Sequence, residues 1–297
     1  MGKIIYTIGK SICIFDEETG EELYKLIYVK DYDIRKFIQY NDIYIIVVYV
    51  FGDIVIWEND NIYKIFETNK YVENIVLSCD NNYLIYSYYV WTNTNYVINF
   101  NLINLENNID ILFYSKDINS SYTDLYINNN KLYVNMLVGE DCYLNIINIP
   151  DGNLCGEFTF KKSKLYFLNK NYIGICYLKN NIKLYDYYLD KILFEFNTNY
   201  KTPITIINDN ILLTKYYGSV VFLNFKGEEI NKIEIVPLSF LTIDINMSED
   251  KMLVVYYNYS KLINILTKEI KTHITKKDIG MTLTNGKFGD TDILQLW

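Results

Sequence analysis

The chain has 297 residues, of which half are apolar and only 22% are charged. This balance excludes a disordered polypeptide, because disordered chains combine low hydrophobicity with high net charge. The net charge of −8 disfavours a protein whose main task is to bind nucleic-acid backbones, since such proteins carry a basic surplus. The longest apolar run, residues 43–51, is too short to span a bilayer. The first residues lack the apolar stretch of a secretory signal, so we expect a cytoplasmic protein.

Taken in chain order, the sequence repeats one hairpin pattern seven times, each an alternating apolar run, a polar turn and a second run. The first copies read SICIFDEETGEELYKL and DIVIWENDNIYKIF. Equivalent positions in the copies are Phe15, Trp57, Phe100, Ile147, Tyr185, Leu223 and Ile265. They lie 38 to 47 residues apart. A period of about 40–45 residues with several short strands per unit is typical of a β-propeller blade.

Two further β-rich runs lie between successive hairpins, joined by Asn/Asp turns such as CDNNYL and INNNKL. The pattern therefore predicts an all-β fold: a seven-bladed β-propeller of four-stranded antiparallel blades, forming a single domain over residues 1–297. Blade 1 combines residues 1–31 with about 281–297. The remaining blades are predicted at about 34–70, 71–117, 121–162, 163–198, 202–237 and 239–277.

The first blade lacks a strand at its start, because KIIYTIG directly precedes the first hairpin. We expect the run DILQLW near residue 297 to supply that strand and close the ring. An eighth hairpin is the alternative, but the distance from Ile265 is too short for a full blade. Closure would remove free sheet edges that otherwise favour aggregation.

The runs differ in polarity within each predicted blade. The two middle strands are almost continuous in Ile, Val, Leu and Tyr, as expected for strands covered on both faces. The last strand of the hairpin carries more charge, for example Glu21, Glu22 and Lys25. This last strand is therefore predicted to lie at the solvent-exposed outer edge of the blade.

Two stretches show a specific family pattern. Residues 72–87, VENIVLSCDNNYLIYS, resemble the inner hairpin of a WD40 repeat, which typically runs V-x-x-V-x-F-S-P-D-G-x-x-L-x-x-x-S. Residues 243–255, IDINMSEDKMLVV, are similar. The Trp-Asp position of that repeat corresponds to pairs such as Phe15-Asp16 and Trp57-Glu58. The resemblance implies a WD40-like propeller.

The chain also departs from the WD40 pattern. Its only histidine is His273, so the Gly-His dipeptide of the family is absent and the associated His-to-Asp network cannot form. The segment beginning at Gly20 resembles quinoprotein-like repeats instead. We therefore interpret the chain as a divergent WD40-like, or quinoprotein-like, propeller.

Catalytic and metal motifs are scarce in the sequence. Nucleophilic triads need a histidine base, and His273 lies in a Lys/Thr-rich outer strand typical of a solvated surface. The five cysteines show no CxxC spacing, and no calcium loop or glycine-rich phosphate loop occurs. We predict no cofactor, no metal and reduced, buried thiols, although Cys142 and Cys155 lie on two arms of one predicted hairpin.

Paired carboxylates keep one enzymatic alternative open. Glu73, Asp124 and Asp244 lie on or near predicted inner strands, where some propeller glycosidases place acidic residues around a channel. Hydration of the channel or capping of turns is the structural interpretation of the same residues. The spacing of two carboxylates by about 5–10 Å would distinguish a hydrolase.

Two surface features are candidates for partner binding. In YSYYVWT, Tyr86 and Tyr88 share one strand face while Tyr89 and Trp91 share the other. The aromatic residues of one of these two faces are expected to pack between blades. The candidate partner-binding residues are Tyr88, Tyr89 and Trp91. The second feature is a possible basic patch of Lys268, Lys271, Lys276 and Lys277, which equally fits a solvated outer hairpin.

These patterns favour a non-enzymatic WD40-like scaffold that binds a protein or peptide partner within a larger assembly. A propeller hydrolase of glycosidase type is the first alternative. A propeller subunit of a ribonucleoprotein, such as a ribosome-associated complex, is the second.

Overall fold

The computed structural model describes most of the chain. The residues outside the description are 1–2, 9, 17–18, 20, 31, 40–42, 79–81, 93–95, 119–121, 169–171, 178–180, 188–191, 198–201, 208–210, 217–218, 235–241, 249–250, 257–258, 265–266, 268, 276–293 and 297. The remaining residues form β-strands and turns and no helix. None of them belongs to a helix of the length and apolarity that crossing a membrane requires.

The strands are rich in Ile, Val, Tyr and Phe, the residue types that fit a pleated, covered surface. In chain order the first are β1 (Lys3–Ile8), β2 (Ser11–Asp16), β3 (Glu22–Ile27), β4 (Ile34–Gln39), β5 (Tyr44–Tyr49), β6 (Asp53–Glu58), β7 (Asn61–Glu67), β8 (Val72–Leu77), β9 (Tyr83–Trp91), β10 (Tyr96–Asn104), β11 (Asp110–Ile118), β12 (Tyr122–Asn128), β13 (Lys131–Val138) and β14 (Asp141–Asn148). They continue with β15 (Leu154–Phe160), β16 (Ser163–Phe167), β17 (Ile173–Tyr177), β18 (Asn181–Tyr185), β19 (Ile192–Asn197), β20 (Thr202–Ile207), β21 (Ile211–Tyr216), β22 (Ser219–Asn224), β23 (Glu229–Glu234), β24 (Thr242–Ser248), β25 (Lys251–Tyr256), β26 (Tyr259–Asn264), β27 (Ile270–Thr275) and β28 (Leu294–Leu296).

Within the described residues these strands form seven four-stranded sheets. Sheet 1 has the order β28-β1-β2-β3, and sheets 2 to 7 each consist of four consecutive strands, β4–β7, β8–β11, β12–β15, β16–β19, β20–β23 and β24–β27. Every pairing with an assigned register, such as Ile46 with Ile56 between β5 and β6, is antiparallel. The predicted all-β, antiparallel character is therefore confirmed.

The chain divides into two compact units. The first contains residues 1–118 and 243–297, and the second contains residues 119–242. Sheets 1, 2, 3 and 7 belong to the first unit, and sheets 4, 5 and 6 belong to the second.

Neighbouring sheets of the first unit share apolar cores. Alternate residues of β5 face opposite ways: Ile45 and Val47 pack towards sheet 1, while Ile46 and Val48 pack towards sheet 3. The middle strands are therefore buried on both faces, as the uninterrupted apolar runs predicted. The last strands of sheets 1 and 2, β3 and β7, alternate between exposed and covered residues.

The second unit repeats this arrangement. Leu144 and Ile146 of sheet 4 pack against Ile173 and Ile175 of sheet 5. On its other side, sheet 5 packs Ile182 and Leu184 against Val221 and Leu223 of sheet 6.

Among the described residues, a β-bulge lies just before the turn in five sheets, where the third strand meets the fourth. The residue after the bulge is Phe15, Trp57, Ile147, Tyr185 or Leu223. Each is one of the predicted blade positions, and all are buried except the half-buried Tyr185. The extra residue sharpens the strand twist at this point.

Two predicted blade positions need correction. The turn of sheet 3 begins at Asn104, whose amide donates to Ile109 O and whose side chain caps Glu106 N, so Ile103 rather than Phe100 precedes the turn. Phe100 is buried beside a bulge farther up the strand. In sheet 7 the turn begins at Asn264, which places Ile263 before it, while Ile265 lies outside the described residues.

The strand near the end of the chain pairs with the first strand. Tyr6 of β1 lies opposite Leu294 of β28, and Ile4 lies opposite Leu296. In the order β28-β1-β2-β3, β28 occupies the edge opposite the charged strand β3. Sheet 1 is thus assembled from two distant segments of the chain.

Candidate functional site

One end of sheets 2 and 3 carries exposed aromatic side chains. At this end lie the β3–β4 link, the β5–β6 turn, the β7–β8 link and the end of the β9–β10 hairpin. We call this surface the aromatic edge and define it by its aromatic residues Tyr32, Phe51, Tyr71, Trp91 and Tyr96 and its cationic residues Lys30, Arg35 and Lys70. Phe51 is 65% exposed, Trp91 is 63% exposed, and Tyr71 and Tyr96 are each 49% exposed.

A buried carboxylate anchors the β3–β4 link. Asp53, only 4% exposed, accepts a hydrogen bond of 2.8 Å from the Tyr28 hydroxyl and pairs with Lys30 Nζ at 2.8 Å. Lys30 Nζ also contacts Glu67 Oε1 at 2.7 Å. Burial, followed by the bond to Asp53, raises the pKa of Tyr28 to about 12. The hydrogen bonds to the two carboxylates raise the pKa of Lys30, which keeps it charged.

The β5–β6 turn presses against the β7–β8 link. Gly52 has φ of +90°, and a Cβ at this position would collide with Lys70 O. Thr68 Oγ1 donates a hydrogen bond of 2.7 Å to Gly52 O and accepts one of 3.1 Å from Lys70 N. Phe51 packs edge-to-face on Tyr32, with ring centroids 4.9 Å apart. The exposed Phe51 therefore projects from a fixed turn.

Arg35 joins β4 to the start of β8. Its Nη1 donates a 2.8 Å hydrogen bond to the Tyr71 hydroxyl, and its guanidinium lies 4.8 Å from the centroid of that ring. Its Nη2 pairs with Glu73 Oε2. Tyr71 is thus held in one orientation while half of its surface stays open to solvent.

The predicted partner-binding residues have three different environments. Tyr88 is buried in the core between sheets 2 and 3, which excludes it from an exposed patch and corrects that prediction. Tyr89 is half-buried, and Trp91 is exposed and packs on Tyr96 with ring centroids 4.4 Å apart. Because successive side chains of a strand point to opposite faces, the sequence placed Tyr88 and Trp91 on opposite faces of one strand. Their burial shows that the face carrying Trp91 is the one open to solvent.

Sequence reasoning missed Phe51, Lys70 and Tyr71. All three lie in links between strands, and what brings them together is packing between segments far apart in the chain. One signal was available for Phe51, because it follows an apolar run and directly precedes Gly52, which indicates an aromatic at a turn.

The carboxylates proposed for a hydrolase make local contacts where they are described. Glu73 pairs with Arg35, so its carboxylate is already engaged in an ion pair. Asp124 lies in the second unit, and its Oδ1 accepts a 3.0 Å hydrogen bond from Leu125 N. The side chain of Asp244 lies outside the description.

The possible basic patch falls almost wholly outside the described residues. Lys268, Lys276 and Lys277 are not described, and only the backbone of Lys271 is placed, opposite Leu262. The patch therefore stays a prediction.

The sequence also led to expectations about the cysteines and about a metal site. Cys142 is a buried free thiol whose pKa rises to about 12, chiefly through burial, and it does not lie opposite Cys155. Cys155 is exposed, which corrects the expectation that it is buried. Over the described part of the chain, no three His, Cys, Asp or Glu side chains gather as a metal site.

Neither a protein-family model nor a curated protein matches the chain. Among solved structures, it is similar to a functionally unknown protein from Desulfotomaculum acetoxidans DSM 771, with 16% identity and a TM-score of 0.65 over 93% of this chain and 100% of the other. It is also similar to the dihydro-heme d1 dehydrogenase NirN in complex with DHE, with 8% identity and a TM-score of 0.59 over 92% and 73%. Together with the four-stranded antiparallel sheets, these likenesses support a β-propeller fold. At such identities they describe the fold alone, so the WD40 resemblance stays a prediction.

Proposed function

We propose that the chain is a seven-bladed, WD40-like propeller that acts as a cytoplasmic, non-enzymatic interaction module. In this proposal, β28 closes the ring by completing the first blade. The pairing of β28 with β1, and its position beside β25 of sheet 7, support closure.

The observation that carries the proposal is the aromatic edge. Exposed aromatic residues held by rigid surroundings are favoured anchors in protein interfaces, because they bury much area at little cost in conformational entropy. Phe51 is held by the Gly52 turn and Tyr71 by Arg35, so both are positioned before a partner arrives. We infer that a protein partner within a larger assembly docks here.

Affinity purification from the native source tests this function. Three tagged forms are compared: the wild type, Phe51→Ser/Tyr71→Ser at the aromatic edge, and Tyr63→Ser/Ile65→Ser. The control pair is exposed to a similar degree but lies on the outer strand β7. Thermal unfolding and circular dichroism first establish that all three are folded.

We expect a defined set of partners with the wild type and the control, and its loss with the edge variant. Recovery of the protein alone, or of the same partners with all three forms, would contradict the proposal. In the first case a glycan panel with Glu73→Gln would test the hydrolase alternative.

A further inference from the structure

Lys70 differs from the other two cations of the aromatic edge. Lys30 pairs with Asp53 and Glu67, and Arg35 pairs with Glu73. Lys70 Nζ instead lies 5.0 Å from the centroid of the Tyr88 ring, and no described carboxylate lies within ion-pair distance of it. Its positive charge is therefore not neutralised within the described part of the edge.

The chain fixes the backbone of the residue that carries this charge. The Lys70 amide donates to Thr68 Oγ1, and its carbonyl lies against Gly52, so the backbone cannot shift without disturbing the turn that carries Phe51. Tyr71 follows directly in sequence. An uncompensated cation thus stands next to two exposed aromatic residues, in a protein whose net charge is −8.

A partner that matches this arrangement needs two features. It needs a carboxylate to complement the Lys70 ammonium, because a charged pair across an interface adds orientation and affinity once water is partly excluded. It also needs an adjacent apolar or aromatic side chain to cover Phe51 and Tyr71. A basic segment would meet an unpaired like charge, which is a basis for rejecting it.

We propose that the aromatic edge recognises an acidic peptide segment, in which an Asp or Glu beside an apolar or aromatic residue pairs with Lys70 Nζ. This inference rests on the proposed function and specifies the chemistry of its partner.

Selection from a phage-displayed random peptide library on the full chain tests the inference. Selected peptides are synthesised with a fluorescent label, and their affinities are measured by polarisation for the wild type, Lys70→Gln, Phe51→Ser and Lys226→Gln. Lys226 is an exposed lysine in a turn of the second unit and serves as the matched control. The titrations are repeated at low and high salt.

We expect the enriched peptides to combine an acidic residue with an apolar or aromatic neighbour. Lys70→Gln should weaken them about fivefold, the effect of one partly exposed ion pair. Phe51→Ser should weaken them about thirtyfold, as for an interface anchor. Lys226→Gln should leave affinity unchanged, and salt should weaken wild-type binding more than binding to Lys70→Gln.

Enrichment of basic peptides, absence of enrichment, or equal affinity of wild type and Lys70→Gln would each overturn the inference. If Phe51→Ser loses binding while Lys70→Gln does not, the acidic preference fails and the proposed docking surface stands. If Phe51→Ser also binds normally, the proposed use of the aromatic edge fails as well.

Discussion

The packing between sheets 1 and 2 differs in kind from the packing between sheets 4 and 5. In the first unit, the aromatic pair of Tyr28 and Tyr49, with centroids 4.6 Å apart, is accompanied by the buried carboxylate of Asp53. In the second unit, Tyr126 and Tyr133 surround Tyr187 with centroids 5.5 and 4.9 Å from it. There the Tyr133 hydroxyl donates to a backbone oxygen, Tyr187 O, at 3.2 Å.

The two arrangements use tyrosine for different purposes. Around Tyr187 the rings chiefly fill volume, so stability depends mainly on shape. Around Asp53 the hydroxyl and the ammonium satisfy a buried anion, so stability depends on every partner being present. The first unit therefore positions its surface link with a polar network, and the second unit secures its core by packing.

The largest effect is expected from removing a ring of the second unit. Tyr133→Ala should lower the free energy of unfolding by about 3–5 kcal/mol, because a buried aromatic leaves a cavity that its neighbours fill only partly. Tyr133→Phe keeps the ring and should cost about 1 kcal/mol, the net value of one hydrogen bond. Urea denaturation measures both, and equal costs would show that the hydroxyl matters more than the shape.

The next effect is expected from the polar network. Asp53→Ala should cost about 2 kcal/mol, because it leaves the buried Tyr28 hydroxyl without its acceptor and removes one of the two carboxylates that pair with Lys30. Tyr28→Phe should lower the free energy of unfolding less in the Asp53→Ala protein than in the wild type. Both changes remove the same hydrogen bond between Tyr28 and Asp53. Strict additivity in this double-mutant cycle would contradict the network.

Alkaline pH should reveal the contribution of Tyr28 to the polar network. The unfolded Tyr28 titrates near pH 10 and the folded residue near 12, because burial and then Asp53 raise its pKa. The protonated hydroxyl is favoured in the folded state, so its contribution is present below about pH 10 and is lost as pH rises towards 12. Unfolding followed from pH 8 to 12 should therefore show a shallower decline in Tyr28→Phe than in the wild type. Parallel curves would exclude this role of Tyr28.

The smallest effect is expected at the exposed end of the network. Glu67→Gln removes one carboxylate from Lys30, but both side chains are substantially exposed, at 61% and 38%. The loss should be much smaller than that of Asp53→Ala and should vanish in high salt. A loss as large as that of Asp53→Ala would show that the ion pair, rather than the buried bond, holds the link.

The sequence predicted the parts of the fold that local pattern determines. The continuous run Ile45–Tyr49 and the charged strand β3 were recognised because burial on one or two faces leaves a period in the sequence. The positions before the turns were predicted where one bulge precedes the turn, as at Trp57, and were displaced in sheet 3, where the bulge lies elsewhere. Because the middle strands are apolar on both faces, the extra residue of a bulge leaves no break in their pattern from which periodicity could locate it.

The aromatic edge was less accessible from the sequence. Trp91 was recognised from local aromatic density, whereas Phe51 and Lys70 meet only because Gly52 packs on a link about twenty residues further along the chain. Contacts between segments this far apart depend on how the sheets stack. Hydrophobic periodicity in one sequence reports local structure and does not predict such contacts.

The pairing of β28 with β1 has a consequence for synthesis on the ribosome. Sheets 2 to 7 each consist of consecutive strands and can form as soon as their own segment has emerged. Sheet 1 contains β1, which is translated before every other strand of the seven sheets, but it cannot be completed until Leu294–Leu296 has been made. Until then β1 has an unpaired edge, so the sheet whose strands begin to be made first is the last to be completed.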